Sequence, residues 1–255
     1  MYLVDYHTHP YVHGDIIDYN EKHLVKFIDT AIKKGIREIG FTDHDEFSDE
    51  IDWQLMNIIK NSSPIPVKIG LEFDYIPGRE EEIKSKIEDF KLDYAIGSVH
   101  FIDGWGFDNP SNLRDYKDKD IDQLYIRYYE ILKELIKSNL FNIIGHFDLI
   151  KVFGYRPKNI DLLSIIRPIL LEIKRTELVM EINTNGLNKP VQEIYPAKFI
   201  LEEAYQLKIP ITFASDAHSP ERVGENIGLY AEYVKSIGYK EVATFAGREM
   251  KMKRI

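Results

Sequence analysis

Cysteine is absent from the 255 residues, which excludes disulfides, thiolate metal sites and a cysteine nucleophile. No stretch approaches the roughly 18 uninterrupted apolar residues of a membrane helix, and the N-terminal residues lack the basic-then-apolar pattern of a signal peptide. The expectation is a cytoplasmic protein with no membrane partner. Positive charge is also scarce: 33 Lys+Arg against 42 Asp+Glu give a formal net charge of −9. Nucleic acids and anionic membranes favour a basic patch, so neither is expected here, whereas a substrate carrying positive charge is compatible. Nothing in the sequence sets an oligomeric state.

What is present is a repeated unit in which an apolar strand ends in polar residues and a helix follows. Tyr2 to Val4 run into Asp5-Tyr6-His7-Thr8-His9. Leu24, Phe27, Ile28, Ala31 and Ile32 fall at helical spacing between a capping Asn20 and Gly35. Further strands run from Glu38 to Thr42, Val67 to Glu72, Tyr94 to His100, Phe141 to His146, Leu178 to Asn183 and Pro210 to Ser215. Helices are expected at Glu80–Phe90, Leu124–Ile136 and Glu221–Lys235, the last started by Ser219 and Pro220. Another is expected at Asp161–Arg175, where Pro168 argues for a kink or two pieces. The mixed, basic tail from Tyr239 to Ile255 fits neither pattern.

Strand and helix alternate about seven times without a linker, which argues for parallel strands joined by helical crossovers in one domain spanning residues 1–255. A closed or nearly closed barrel of this α/β class gathers its functional residues at the C-terminal ends of the strands. The histidines obey that rule. Of the eight, His7, His9, His44, His100, His146 and His218 lie at or just beyond a predicted strand end, His13 lies in the following loop, and His23 is placed on the solvent face of a helix. Glu72 and Asp216 share the strand-end position. Alternate residues of a strand point the same way, so both imidazoles of His7-Thr8-His9 can reach one ion. A nitrogen and carboxylate set without sulfur suits Zn(II), Mn(II) or Fe(II), and it is large enough for more than one.

The ordered series His7-Thr8-His9, Thr42-Asp43-His44, Gly70-Leu71-Glu72, Ser98-Val99-His100, Gly145-His146 and Asp216-Ala217-His218 resembles the polymerase and histidinol phosphatase (PHP) superfamily. The segments Gly97 to Trp105 and Gly145 to Lys151 resemble its histidinol-phosphatase branch. The resemblance implies a distorted (β/α)7 TIM-like barrel around three divalent metal ions, Zn, Mn or Fe. By position, His7, His9, Glu72 and Asp216 would hold the first ion. Glu72 would bridge to a second, held also by His100 and His146, while His44, His218 and either His13 or Asp15 would hold the third.

The implied chemistry is in-line attack of a metal-bridging hydroxide on a phosphate monoester. Arg156 and Arg222 are candidate phosphate clamps, because a guanidinium matches phosphate geometry as lysine does not. Asp43 is a candidate catalytic residue, either supporting His44 or relaying a proton to the leaving group. The loop after His100 carries Asp103, Trp105, Phe107 and Asp108, aromatic faces and carboxylates that suit an imidazole-bearing ammonium alcohol, with Trp105 the candidate substrate contact. The implied substrate is L-histidinol phosphate. A phosphotyrosine-protein phosphatase or a nucleotide phosphodiesterase of the same superfamily is the alternative.

Overall fold

Residues 1–11 and 20–255 are described by the computed structural model of the chain. The opening apolar run forms strand β1 (Leu3–Asp5). Asn20 caps helix α1 (Glu21–Lys33) by accepting from His23 N. Its apolar stripe of Leu24, Phe27, Ile28 and Ala31 is buried, and Gly35 ends it at φ +75°, a backbone region that only glycine enters freely. Then follow β2 (Ile36–His44), α2 (Trp53–Ser62), β3 (Val67–Asp74), α3 (Glu80–Asp89) and β4 (Tyr94–Ser98). A small hairpin, β5 (Phe101–Ile102) and β6 (Trp105–Gly106), precedes α4 (Ile121–Ser138). The second half runs through β7 (Ile143–Ile144), α5 (Leu162–Thr176), β8 (Val179–Asn183), α6 (Lys198–Gln206), β9 (Ile211–Ala214), α7 (Ile227–Ile237) and the hairpin β10 (Glu241–Ala246) and β11 (Glu249–Arg254).

Seven strands make one sheet in the order β1-β2-β3-β4-β7-β8-β9, with every pairing between these neighbours parallel. Backbone bonds between the two outermost strands close it: Tyr6 N donates to Phe213 O at 2.9 Å and Asp216 N to His7 O at 2.8 Å. The result is the distorted seven-stranded α/β barrel that the family resemblance implies, with the parallel strands and helical crossovers expected from the alternation. No described helix is long and apolar enough to cross a membrane.

Tyr94 reaches from β4 across the barrel interior, its hydroxyl donating to Tyr6 O at 2.6 Å and pairing with the Thr42 hydroxyl. Gly40 and Gly70 make room for it, since a Cβ at either position would collide with the Tyr94 ring or hydroxyl. The tail that followed no clear pattern is the β10–β11 hairpin, and it seals this end. Phe245 N donates to the Tyr6 hydroxyl at 2.7 Å, and the Phe245 ring sits 5.8 Å from Tyr6 and 6.0 Å from Tyr94.

Two local expectations need correction and a third is narrowed. Helix α5 is one helix containing Pro168, which leaves the kink and removes the two pieces. The expected helix at Glu221 is a single 3-10 turn, Pro220–Arg222, and the α-helix starts only at Ile227, after Gly224 and Asn226 take positive φ. His23 does not simply face solvent: its Nε2 lies 2.8 Å from Pro10 O, and its ring packs edge-on against Phe27.

Candidate metal centre

His7, Thr8 and His9 continue β1 past its last paired residue and are clamped from both sides. Thr42 N donates to Thr8 O, and His9 N donates to Ala217 O, each at 2.8 Å. Period two puts the two imidazoles on one side, and both are fully buried. β2 ends in His44, which lies in register with Glu72 of β3. His100 follows β4, His146 follows β7, and Asp216 and His218 follow β9, so six strand ends converge on one rim.

Glu72 is the hub. Its Oε2 lies 3.2 Å from His7 Nε2, 3.6 Å from His9 Nε2 and 3.1 Å from His44 Nδ1. Its Oε1 lies 2.9 Å from His146 Nε2 and 3.6 Å from His100 Nε2. One buried carboxylate therefore presents its two oxygens to two different sets of imidazoles, as a bridging ligand would. Asp216 Oδ1 approaches His9 Nε2 at 3.3 Å and His218 Nδ1 at 3.5 Å. His9 stacks between the rings of His44 and His218, 4.4 and 4.2 Å away.

Among the described residues, three groups bring their ligand atoms within 4.8 Å of one another: His7-His9-Glu72, Glu72-His100-His146 and His9-His44-His218. The expected set of eight strand-end ligands is thus brought together. His13 and Asp15 lie outside the described residues.

Burial and neighbouring charge pull the protonation of these groups in opposite directions. Burial lowers the proton affinity of His7, but the Glu181, Glu72 and Asp216 carboxylates raise it well above the usual histidine range. His100 is likewise opposed by burial yet pushed up to about 10 by Asp74 and Glu72. His9 goes the other way, lowered by burial and by the neighbouring His218 and His44. Glu72 and Asp216 stay well below their usual values despite burial, Glu72 through His7 and His100, and Asp216 through His7 and a bond from His9.

The donor set fits divalent cations. His7 Nε2 and His9 Nε2, which both face Glu72 Oε2, are buried without a hydrogen-bond partner of proper geometry, a costly arrangement that a shared cation would relieve.

Two carboxylates that the sequence did not single out orient this shell. Glu181 Oε2 lies 2.7 Å from His7 Nδ1, while its Oε1 accepts from His146 N at 3.2 Å and Asn183 Nδ2 at 2.7 Å. Asp74 Oδ1 lies 2.5 Å from His100 Nδ1. Such partners fix the ring tautomer and leave the other nitrogen for a metal. A signal was available for both: Asp74 lies two residues beyond Glu72, and Glu181 is a lone acid in an apolar strand, where a buried charge needs a partner.

The remaining candidates are placed as follows. Asp43 is buried, and its Oδ1 accepts from Tyr11 N at 2.8 Å, holding the chain just past His9. Arg222 donates to Asn185 Oδ1 at 2.9 Å, and Asn185 donates to Asp216 Oδ2 at 3.1 Å, so this arginine is one residue removed from the cluster. Arg156 bonds Glu193 Oε1 at 3.0 Å and the carbonyls of Lys151 and Tyr155. It lines a cavity that contains none of the described candidate ligands. The Trp105 indole donates to Asp115 Oδ2 at 3.2 Å, and Lys119 Nζ sits 4.7 Å above its ring.

A model of the PHP domain family matches residues 5–185. The chain is 33% identical over 241 residues to the Deinococcus radiodurans protein named "Probable histidinol-phosphatase", covering 88% of this chain and 91% of that one. It is 28% identical to the histidinol-phosphatase of Lactococcus lactis, covering 98% and 97%. The crystal structure of histidinol phosphate phosphatase from Lactococcus lactis, complexed with Zn, L-histidinol and phosphate, superposes with a TM-score of 0.76 at 27% identity, covering 98% of both chains.

Proposed function

Because the chain belongs to the PHP domain family, we propose that it is a metal-dependent histidinol-phosphatase that hydrolyses L-histidinol phosphate to L-histidinol and phosphate in L-histidine biosynthesis. The observation that carries the reading is Glu72, whose two oxygens each face a separate set of buried imidazoles. The relatives' shared name, and the zinc, L-histidinol and phosphate of the Lactococcus lactis structure, support the substrate.

We infer three divalent ions of zinc, manganese or iron, in keeping with the three ligand groups. The first would be held by His7, His9, Glu72 and Asp216, the second by Glu72, His100 and His146. His44 and His218 would hold the third, with His9 in the same group and His13 or Asp15 completing it. When bound, such ions polarise a phosphoryl oxygen and lower the pKa of water to make a nucleophile near neutral pH. The chain's own residues do the rest. Glu181 and Asp74 fix the orientation of His7 and His100. Arg222 clamps the phosphate, steadied by Asn185 and Glu225. Arg156 is the second candidate clamp, its guanidinium already engaged by Glu193. Asp43 secures the backbone beside His9, and Trp105, on the hairpin that follows His100, offers an aromatic edge to the organic part of the substrate.

The test is phosphate release from L-histidinol phosphate by protein reconstituted with Zn, Mn or Fe, set beside p-nitrophenyl phosphate, a phosphotyrosine peptide and a nucleotide diester. Strong preference for L-histidinol phosphate, absent in the metal-free protein and in His100→Ala, is the expected result. Activity on the other esters alone would move the protein to another branch of the family, and wild-type turnover by metal-replete His100→Ala would overturn the assigned centre.

A further inference from the structure

Strand β3 outruns one of its neighbours. β2 pairs with it only as far as His44 opposite Glu72, while β4 pairs with it as far as Asp74. Tyr75 N donates to Ser98 O on the β4 side, so the N–H and C=O of Asp74, one residue earlier, face the side where β2 has ended. Two side chains stand in for the missing strand. Asp45, the residue after His44, is buried and accepts from Asp74 N through Oδ1 at 3.0 Å. Arg79 donates to Asp74 O at 2.9 Å and to Asp45 Oδ2 at 2.7 Å, so a carboxylate and a guanidinium, themselves paired, hold both main-chain groups of one residue. Lys86 of α3 adds bonds to Asp45 O at 2.8 Å and Oδ2 at 3.2 Å, and Glu82 accepts from the outer edge of Arg79 at 3.1 and 2.6 Å.

What this bracket holds is the residue whose Oδ1 lies 2.5 Å from His100 Nδ1. Asp74 stands two residues beyond Glu72, and period two puts both carboxylates on one side of β3. A buried ion pair is a poor source of stability, since apolar residues of like volume join two segments without the desolvation cost. It does fix geometry: the guanidinium fork reaches two acceptors at set angles, which a single ammonium does not. Asp45 also follows His44 directly, so the bracket ties together two strand ends that carry candidate ligands. We propose that Asp45 and Arg79 are positioning residues, which hold Asp74 against His100 and thereby set how tightly the ion shared by Glu72, His100 and His146 is bound. The inference rests on the metal-dependent reading of the site.

The experiment compares Arg79→Met, Arg79→Lys and Glu82→Gln with the wild type by two readouts. In the metal-free protein, the His100 Nδ1–H bonded to Asp74 should give a far-downfield proton resonance, assigned by its loss in His100→Ala. Arg79→Met should lose or shift that resonance. In equilibrium dialysis against zinc, the same variant should hold one ion about tenfold more weakly, the lower end of what losing such a partner costs, with the others at wild-type affinity. Arg79→Lys keeps the charge beside Asp45 but lacks the fork, so it should recover the melting temperature without recovering the resonance. Glu82→Gln, which meets Arg79 from outside the bracket, should match the wild type in both readouts. A lowered melting temperature in Arg79→Met with the resonance and every zinc affinity unchanged would make the bracket merely structural and overturn the proposal. The resonance is read without metal or substrate, so failure of the phosphatase reading shows in the wild type, as no phosphate release, and leaves this comparison standing.

Discussion

Replacing Glu181 by Gln changes one atom of a fully buried side chain and should cost the site most of its first ion. The carboxylate serves three partners: Oε2 faces His7 Nδ1 at 2.7 Å, and Oε1 accepts from His146 N and Asn183 Nδ2. In the amide, the single carbonyl oxygen must stay with those two N–H donors, because the reverse orientation would set an NH2 group against both. The amide nitrogen then points at His7 and donates to Nδ1. That drives the ring proton to Nε2, the nitrogen 3.2 Å from Glu72 and the one a metal would use. Losing such a partner costs about 10- to 100-fold in metal affinity or activity, or about 1.4–2.8 kcal/mol. Zinc binding measured by equilibrium dialysis should weaken by that factor, phosphate release should recover in part with excess metal, and circular dichroism should be unchanged. Zinc affinity within twofold of wild type, with unaltered metal dependence of turnover, would refute the argument that Glu181 sets the His7 tautomer.

Metal loading should release protons. In the metal-free protein, carboxylates raise His100 to about 10 against the effect of burial, and raise His7 well above its ordinary value, so both are protonated at pH 7. A ligand nitrogen must shed its proton to bind, and affinity for zinc therefore rises with pH through the neutral range, up to about tenfold per pH unit for each proton released. Titrations in two buffers of different ionisation heat should give different apparent enthalpies; identical heats and a flat affinity from pH 6 to 8 would count against these assignments. On the stability side, Gly40→Ala would push a methyl group into the Tyr94 hydroxyl and to 3.1 Å from Tyr6 Cα. Overpacking of this kind typically costs about 1–3 kcal/mol, read from the urea midpoint, and a variant as stable as wild type would mean that Tyr94 is not locked across the barrel.

The barrel was legible because its strands are buried on both faces and so spell near-continuous apolar runs. The candidate ligands were legible as a cluster because each stands where such a run stops. Glu181 was hidden by the same logic, since one acid inside Val179–Asn183 looks like an interruption until its partner His7 is seen from the other end of the chain. The C-terminal hairpin escaped because β11 alternates Met and Lys with every residue exposed, leaving no apolar face to recognise. Its partner strand β10 matters through one buried ring, Phe245, that touches Tyr6 and Tyr94. The delayed start of α7 follows from backbone preference: Pro220 permits a first turn, but positive φ at Gly224 and Asn226 stops it from continuing. His146 was placed correctly although β7 is only two residues long, because Gly145 N still bonds Gly97 O and carries the chain to the rim.

The closure of the barrel by β1 against β9 also sets a schedule. His7 and His9 are made about 200 residues ahead of Asp216, whose N–H bonds His7 O. At ~5–20 residues per second of synthesis, the interval is on the order of ten to forty seconds, during which the paired histidines have no carboxylate from β9 and no wall to exclude other ligands. The candidate centre thus cannot be complete until translation has passed β9, the strand that closes the barrel against β1.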